Sequence, residues 1–194
     1  MKDVRYAEKK VSFFKNKKFL TILMGLFIIS IMVFSVLYSG LDTSGQEKVE
    51  YKGLEFVQTT QGWLAYTEDE QKILLSSNPG DLVDISFTPV SLSFLSGIQK
   101  LYLSFNPAED VSGALYDFQQ NAAYSGAIVA ACYEDGEFCT ELPIKTCADV
   151  TSTIGVVLFR EANESSVVLE GNCLTIQGKN LLSITDKLIL DQYV

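Results

Sequence analysis

Four cysteines, Cys132, Cys139, Cys147 and Cys173, are the residues whose type and spacing most plainly promise chemistry. They lie in the last third of a 194-residue chain. An even set confined to one part of a chain is the pattern of a disulfide framework in an oxidising compartment. Three pairings are open. Cys132 and Cys139 flank a turn at Asp135-Gly136, so a local bridge is geometrically easy. Cys147 with Cys173 then ties the start of one strand to a β-hairpin. These are the expected bonds. The rival is a four-cysteine zinc site, but steps of seven, eight and 26 residues lack the C-x-x-C knuckles that such sites favour.

The sequence contains no histidine. That removes Ser-His-Asp and Cys-His catalysis, histidine-containing metal sites, and the usual means of activating a thiol. A serine hydrolase would need a lysine base, and the region after residue 42 has no S-x-x-K. Glu134, Asp135, Glu137 and Glu141 cluster around a turn without the D-x-D-x-D-G spacing of a calcium loop. The stretch Asn106-Pro107-Ala108-Glu109-Asp110 follows a strand where doubly wound sheets bind ligands. It has no glycine-rich turn, and Glu109 and Asp110, expected to favour the following helix N-terminus, would repel a phosphate there. Nucleotide binding is therefore rejected, and no metal or cofactor is expected. Asn163-Glu164-Ser165 is an N-glycosylation sequon in a predicted hairpin turn, with Asn163 the acceptor. Trp63, the single tryptophan, is expected to pack against a small sheet and not to serve as a stacking platform.

The elements that must position these residues can be read from periodicity. Residues 54–57, 63–66 and 72–75 read as short strands, and Asn78-Pro79-Gly80 as a turn. Val83-Asp84-Ile85-Ser86-Phe87 follows, closed by Pro89. Leu101, Leu103 and Phe105 alternate as in a strand. Val111, Leu115, Phe118 and Ala122 recur at helical spacing. The run 127–132 (AIVAAC) is continuously apolar and suits a buried parallel strand, completing a βαβ unit. A second apolar run, 156–159, reads as another buried strand. Two further strands form a hairpin, and a final helix starts near Asn180, a good N-cap. The expected class is mixed α+β.

Residues 19–41 carry no charge and read as a transmembrane helix. The run is longer than the core of a signal peptide, and no small-x-small cleavage site follows it. Residues 1–18 hold a net +5 and the remainder −14. The excess of lysine before the apolar run places the N-terminus in the cytoplasm. The expected layout is a basic tail (1–18), a membrane helix (19–41), a stalk (42–50) and an extracytoplasmic domain (51–194). So acidic a domain is repelled by phosphate backbones, which argues against nucleic-acid partners. The lipid bilayer is the expected partner of the helix.

With these residues in view, the chain resembles a group of uncharacterised single-pass membrane proteins of small-genome archaea. The likeness runs through Tyr51-Lys52-Gly53 with Phe56, Gly62-Trp63, Phe105-Asn106-Pro107, Ala130-Ala131-Cys132, Pro143-Ile144-Lys145-Thr146-Cys147, residues 156–161 with Asn163-Glu164, and Gly171-Asn172-Cys173 through Ile176-Gln177-Gly178. It continues at Asp186-Lys187, where arginine usually follows the aspartate in the group. The resemblance implies a shared fold and membrane anchoring, and no activity. Two functions fit this layout. One is a non-enzymatic envelope module that binds a protein or surface component outside the membrane. The alternative is a membrane-tethered enzyme using paired carboxylates, for example on glycans. A pilin-like subunit fits poorly, because Lys18-Phe19 stands where a small residue should precede the apolar run.

Overall fold

A computed structural model describes residues 17–41 and 47–193 of the chain, with side chains in the first stretch described over residues 21–35. The expected basic tail (1–18) lies almost wholly outside the described residues. The chain divides into two compact units, 1–45 and 46–194.

The first unit contains one helix, α1 (Lys17–Leu41), of 25 residues. At 1.5 Å per residue it is about 37 Å long. Ile22, Met24, Leu26, Phe27, Ile29, Met32 and Phe34 are all exposed, so its apolar surface runs around the whole circumference. No helix among the described residues is long and apolar enough to cross a membrane.

The second unit is a mixed α+β domain with two sheets. The small one is an antiparallel meander of β1 (Lys48–Tyr51), β2 (Leu54–Thr59), β3 (Gly62–Tyr66) and β4 (Lys72–Leu75). β1 was not expected: it lies mostly inside the stretch read as a stalk. Its charged Lys48 and Glu50 face solvent and mask the alternation of Val49 and Tyr51. Lys52 and Gly53 both take positive φ, 46° and 90°, which closes β1 on β2 through a two-residue turn. Trp63 is buried in this sheet's core with Tyr51, Phe56, Ile73 and Leu75, as expected. Val83 to Phe87 forms no strand: Pro89 and a short 3-10 helix at Pro79–Leu82 confine it to an irregular connection.

The large sheet has the order β6-β5-β7-β9-β8. Its strands are β5 (Lys100–Phe105), β6 (Ala127–Cys132), β7 (Ile154–Glu161), β8 (Ser166–Glu170) and β9 (Cys173–Gly178). All pairings are parallel except β8 with β9. Helix α2 (Ser112–Asn121) joins β5 to β6, giving the expected βαβ unit. Helix α3 (Leu181–Leu190) closes the domain, capped by Asn180, whose side chain accepts from the Ser183 N–H. Leu101, Leu103, Val157, Phe159, Leu174 and Ile176 form one core with Val111, Ala114 and Phe118 from the α2 region and Leu181, Ile184 and Leu188 from α3. The rings of Phe118 and Phe159 meet edge to face, 5.9 Å apart. Ile189 and Leu190, at the other end of α3, belong to the core of the small sheet. One helix thus serves two cores.

The opposite face of the large sheet is covered by the connection from β6 to β7. The Ser104 hydroxyl donates to the Lys145 carbonyl at 2.6 Å, the Lys145 ammonium sits 5.5 Å from the Tyr102 ring, and Cys147 is bonded to Cys173 of β9. The run 127–132 departs from expectation. β6 is the edge of the sheet, not an interior strand, and Ala127, Ile128 and Ala130 are exposed. Continuous apolarity is the mark of a strand buried on both faces, and here it belongs to one that is not.

Candidate functional site

The two disulfides are Cys132–Cys139 and Cys147–Cys173, the expected pairing, and no cysteine is free. They fit an oxidising, extracytoplasmic environment. The first closes the turn after β6; the second fastens the covering loop to β9. Asn163 is exposed in the bend between β7 and β8, where an acceptor must lie.

Three polar groupings could carry chemistry. The first is a clasp between β4 and the helices. β4 is an edge strand, and the backbone at its end would be orphaned without side-chain partners. Asn121 supplies two of them, accepting from the Leu74 N–H at 2.9 Å and donating to the Leu74 carbonyl at 2.8 Å. One turn earlier on α2, the Asp117 carboxylate accepts from the Ser76 N–H at 2.8 Å and the Ser76 hydroxyl at 2.9 Å. From α3, Asp186 Oδ2 accepts from the Ser77 N–H at 2.8 Å. Asp117 and Asp186 are fully buried. Burial pushes the Asp186 carboxyl up to about 8, reinforced by its hydrogen bond to Asp117 and the Asp117 charge, with Ser77 opposing. Asp186 therefore stays protonated at neutral pH and donates to Asp117. Its Oδ1, which has no other partner, is the oxygen left to carry that proton. Sequence reasoning missed this grouping. The available signal was polar residues set into apolar helical stripes, Asp117 and Asn121 at i, i+4 beside Phe118, and Asp186 between Ile184 and Leu188.

The second is a cleft of about 600 Å3 lined by Tyr51, Lys52, Ile85, Phe87, Lys187 and Asp191, among others. Lys187 is buried and ion-paired with Asp191, and its ammonium stands 5.9 Å from the Phe87 ring. Lys52 approaches the same carboxylate at 3.5 Å. Asp191 is thus committed to two lysines. Neither Asp117 nor Asp186 lines this cleft.

The third lies beyond the carboxyl ends of the parallel strands. The Tyr133 hydroxyl donates to Glu109 Oε1 at 2.5 Å, and the Glu161 N–H to Glu109 Oε2 at 2.9 Å. Asn106 donates to Glu134 at 3.2 Å. Burial first, then Glu109, raises the Tyr133 hydroxyl to about 12. Glu109 and Asp110, expected to favour the helix N-terminus by their charge, precede α2 and do not cap it. α2 begins at Ser112 after Val111, its cap makes no side-chain bond, and the Glu109 carboxylate is taken by Tyr133 and Glu161 instead. Among the described residues no group of three or more cysteines and carboxylates could hold a metal ion.

A fourth feature is made of backbone. The Ala127 N–H donates inward to the Gln99 carbonyl, so by strand alternation Ala127, Val129 and Ala131 direct their N–H and C=O groups toward β5. Ile128, Ala130 and Cys132 direct theirs outward. The Cys132 groups are taken by the Pro143 carbonyl and the Lys145 N–H. Those of Ile128 and Ala130 face no strand among the described residues. No family model, curated protein or solved structure matches the chain.

Proposed function

We propose that the chain is a membrane-anchored binding or structural module of the cell envelope, with its disulfide-bearing domain outside the membrane and another surface component as its partner. The observation that carries this reading is the open edge of β6. An uncharged strand with exposed apolar side chains, and with backbone groups that face no strand among the described residues, is a template for pairing with another chain. Anchoring is supported by the uncharged run 19–41 and by the exposed apolar side chains of α1 between residues 22 and 34, a surface that lipid would cover. The lysines before the run support an N-terminus inside. Asn163, exposed in its bend, would then be accessible to a glycosyltransferase.

The enzyme alternative needs two carboxylates facing a substrate across a cleft. The pair in contact, Asp117 and Asp186, is sealed from solvent and accepts hydrogen bonds from Ser76 and Ser77 in the connection that follows β4. In the cleft, Asp191 is neutralised by Lys52 and Lys187. No specific observation favours catalysis.

Protease added to intact cells should remove the domain and spare the N-terminal tail; the reverse pattern sinks the topology. Chemical crosslinking in native membranes should yield an adduct that Ile128→Lys abolishes while both disulfides still form. Absence of any adduct from the unaltered protein, or one indifferent to Ile128→Lys, would sink the binding reading.

A further inference from the structure

The backbone groups of β6 that face no strand among the described residues are arranged symmetrically about one residue. Ile128 and Ala130 turn their N–H and C=O outward, and Val129 between them turns its own inward. Past Ala131 the edge is closed, because Pro143 and Lys145 occupy Cys132. The open stretch is therefore short and centred on Val129. From this we infer that β6 pairs antiparallel with β6 of a second copy of the chain, about a two-fold axis through Val129, joining two five-stranded sheets into one. The inference rests on the binding reading above and names the partner.

Backbone, side chains and charge all fit a copy. Under that axis Ile128 faces Ala130 of the second copy and exchanges both hydrogen bonds with it, and Ala130 does the same with the copy's Ile128. On the helix-packed side of the sheet, shared with Leu101 and Leu103, each large Ile128 meets a small Ala130. On the other side, shared with Tyr102, Val129 meets Val129, a β-branched cross-strand pair flanked by alanines. β6 carries no charge to repel its copy. Glu134, Asp135 and Glu137 follow its carboxyl end, and exposed Lys100 lies beside Ala127 at its amino end. Antiparallel pairing brings the acidic end of one copy toward the lysine end of the other; parallel pairing would set acid against acid. The opposite edge of the sheet shows the contrast: β8 ends in Glu170 and follows Glu164 and the Asn163 sequon, all exposed, which guards it against such pairing. A contact this short is weak in dilution. Tethering in one membrane plane raises the effective concentration that sustains it.

The test uses the full chain reconstituted in lipid vesicles. In the inferred pair the two Val129 Cα atoms lie about 4.5 Å apart, within disulfide reach, whereas the two Ala127 Cα atoms are about 13 Å apart along the strands. Under oxidation Val129→Cys should form a covalent dimer at least roughly tenfold more efficiently than Ala127→Cys. Chemical crosslinking in the vesicles should yield a dimer of the unaltered chain that Ala130→Pro and Ile128→Lys both lose. Neither change touches an inward hydrogen bond, and retained disulfides and melting temperature verify the fold. Equal crosslinking at both positions, no crosslink at Val129, or a dimer indifferent to both edge variants overturns the inference. If Val129→Cys fails to crosslink but Ile128→Lys still abolishes an adduct in native membranes, the partner is another protein and only the second copy is ruled out. If no adduct depends on the edge, the binding reading falls with it.

Discussion

The two sheets of the domain are fastened to the same helix by opposite means. The large sheet meets α3 through an apolar core, and its other face is closed by a disulfide-held loop. The small sheet also shares apolar contacts with α3, but its last strand and the connection after it are secured by Asn121, Asp117 and Asp186. Apolar burial and a covalent bond are indifferent to protons over the physiological range. A clasp that depends on one shared proton is not. The large sheet should therefore be stable across pH, whereas the attachment of the small one depends on pH.

The largest effect expected is the pH dependence itself. Unfolded, Asp186 would lose its proton near 3.9; folded, it keeps it to about 8. Between these values the native state holds a proton that the unfolded chain has released, so stability falls as pH rises. One linked proton changes stability by about 1.4 kcal/mol per pH unit at most, or roughly 5 kcal/mol across the window. Asp186→Asn keeps a donor toward Asp117 and an acceptor for Ser77 without titrating. Urea unfolding should show the variant matching the parent near pH 5, exceeding it at pH 9, and lacking the parent's slope. Parallel pH profiles for the two proteins would show that the clasp holds no shared proton.

Phe118→Ala should come next, costing about 4 kcal/mol, since it empties the centre of the apolar core beside Phe159. The loss should be the same at pH 6 and pH 9, which distinguishes it from any change in the clasp. Replacing Cys147 and Cys173 together by serine frees a loop spanning 26 residues and should cost about 3 kcal/mol in the chain-entropy model, again without pH dependence. Asn121→Ala is the smallest of the four, about 2 kcal/mol for the Leu74 groups left unsatisfied. Its signature is local. Amide exchange at Leu74 and Leu75 should speed up, while that at Val157 and Leu174 keeps its protection. Equal acceleration in both sheets would erase the distinction between them.

Much of this architecture is legible in the sequence. Local turns and periodicity carry α2, α3 and most of the strands, and Cys132–Cys139 follows from a turn only a few residues long. The pieces that escaped are those set by distant neighbours. Nothing in 127–132 says which strands flank it, so an apolar run reads as interior even when the sheet ends there. The pairing of Asp117 with Asp186 depends on two helices meeting beside a strand end. In a single sequence, each aspartate looks like an ordinary polar interruption of an apolar stripe. β1 was hidden for the converse reason: its solvent-facing charges resemble a linker.

Helix α3 also governs the order in which this domain can come into being. The Ser77 N–H waits for a carboxyl group 109 residues further along the chain, and the small sheet's core waits for Ile189 and Leu190. Emerging from a ribosome or an export channel, the first four strands can form hairpins but cannot be completed until α3 follows them. Folding is thus deferred until nearly the whole domain is through, and the early strands pass that interval unclasped.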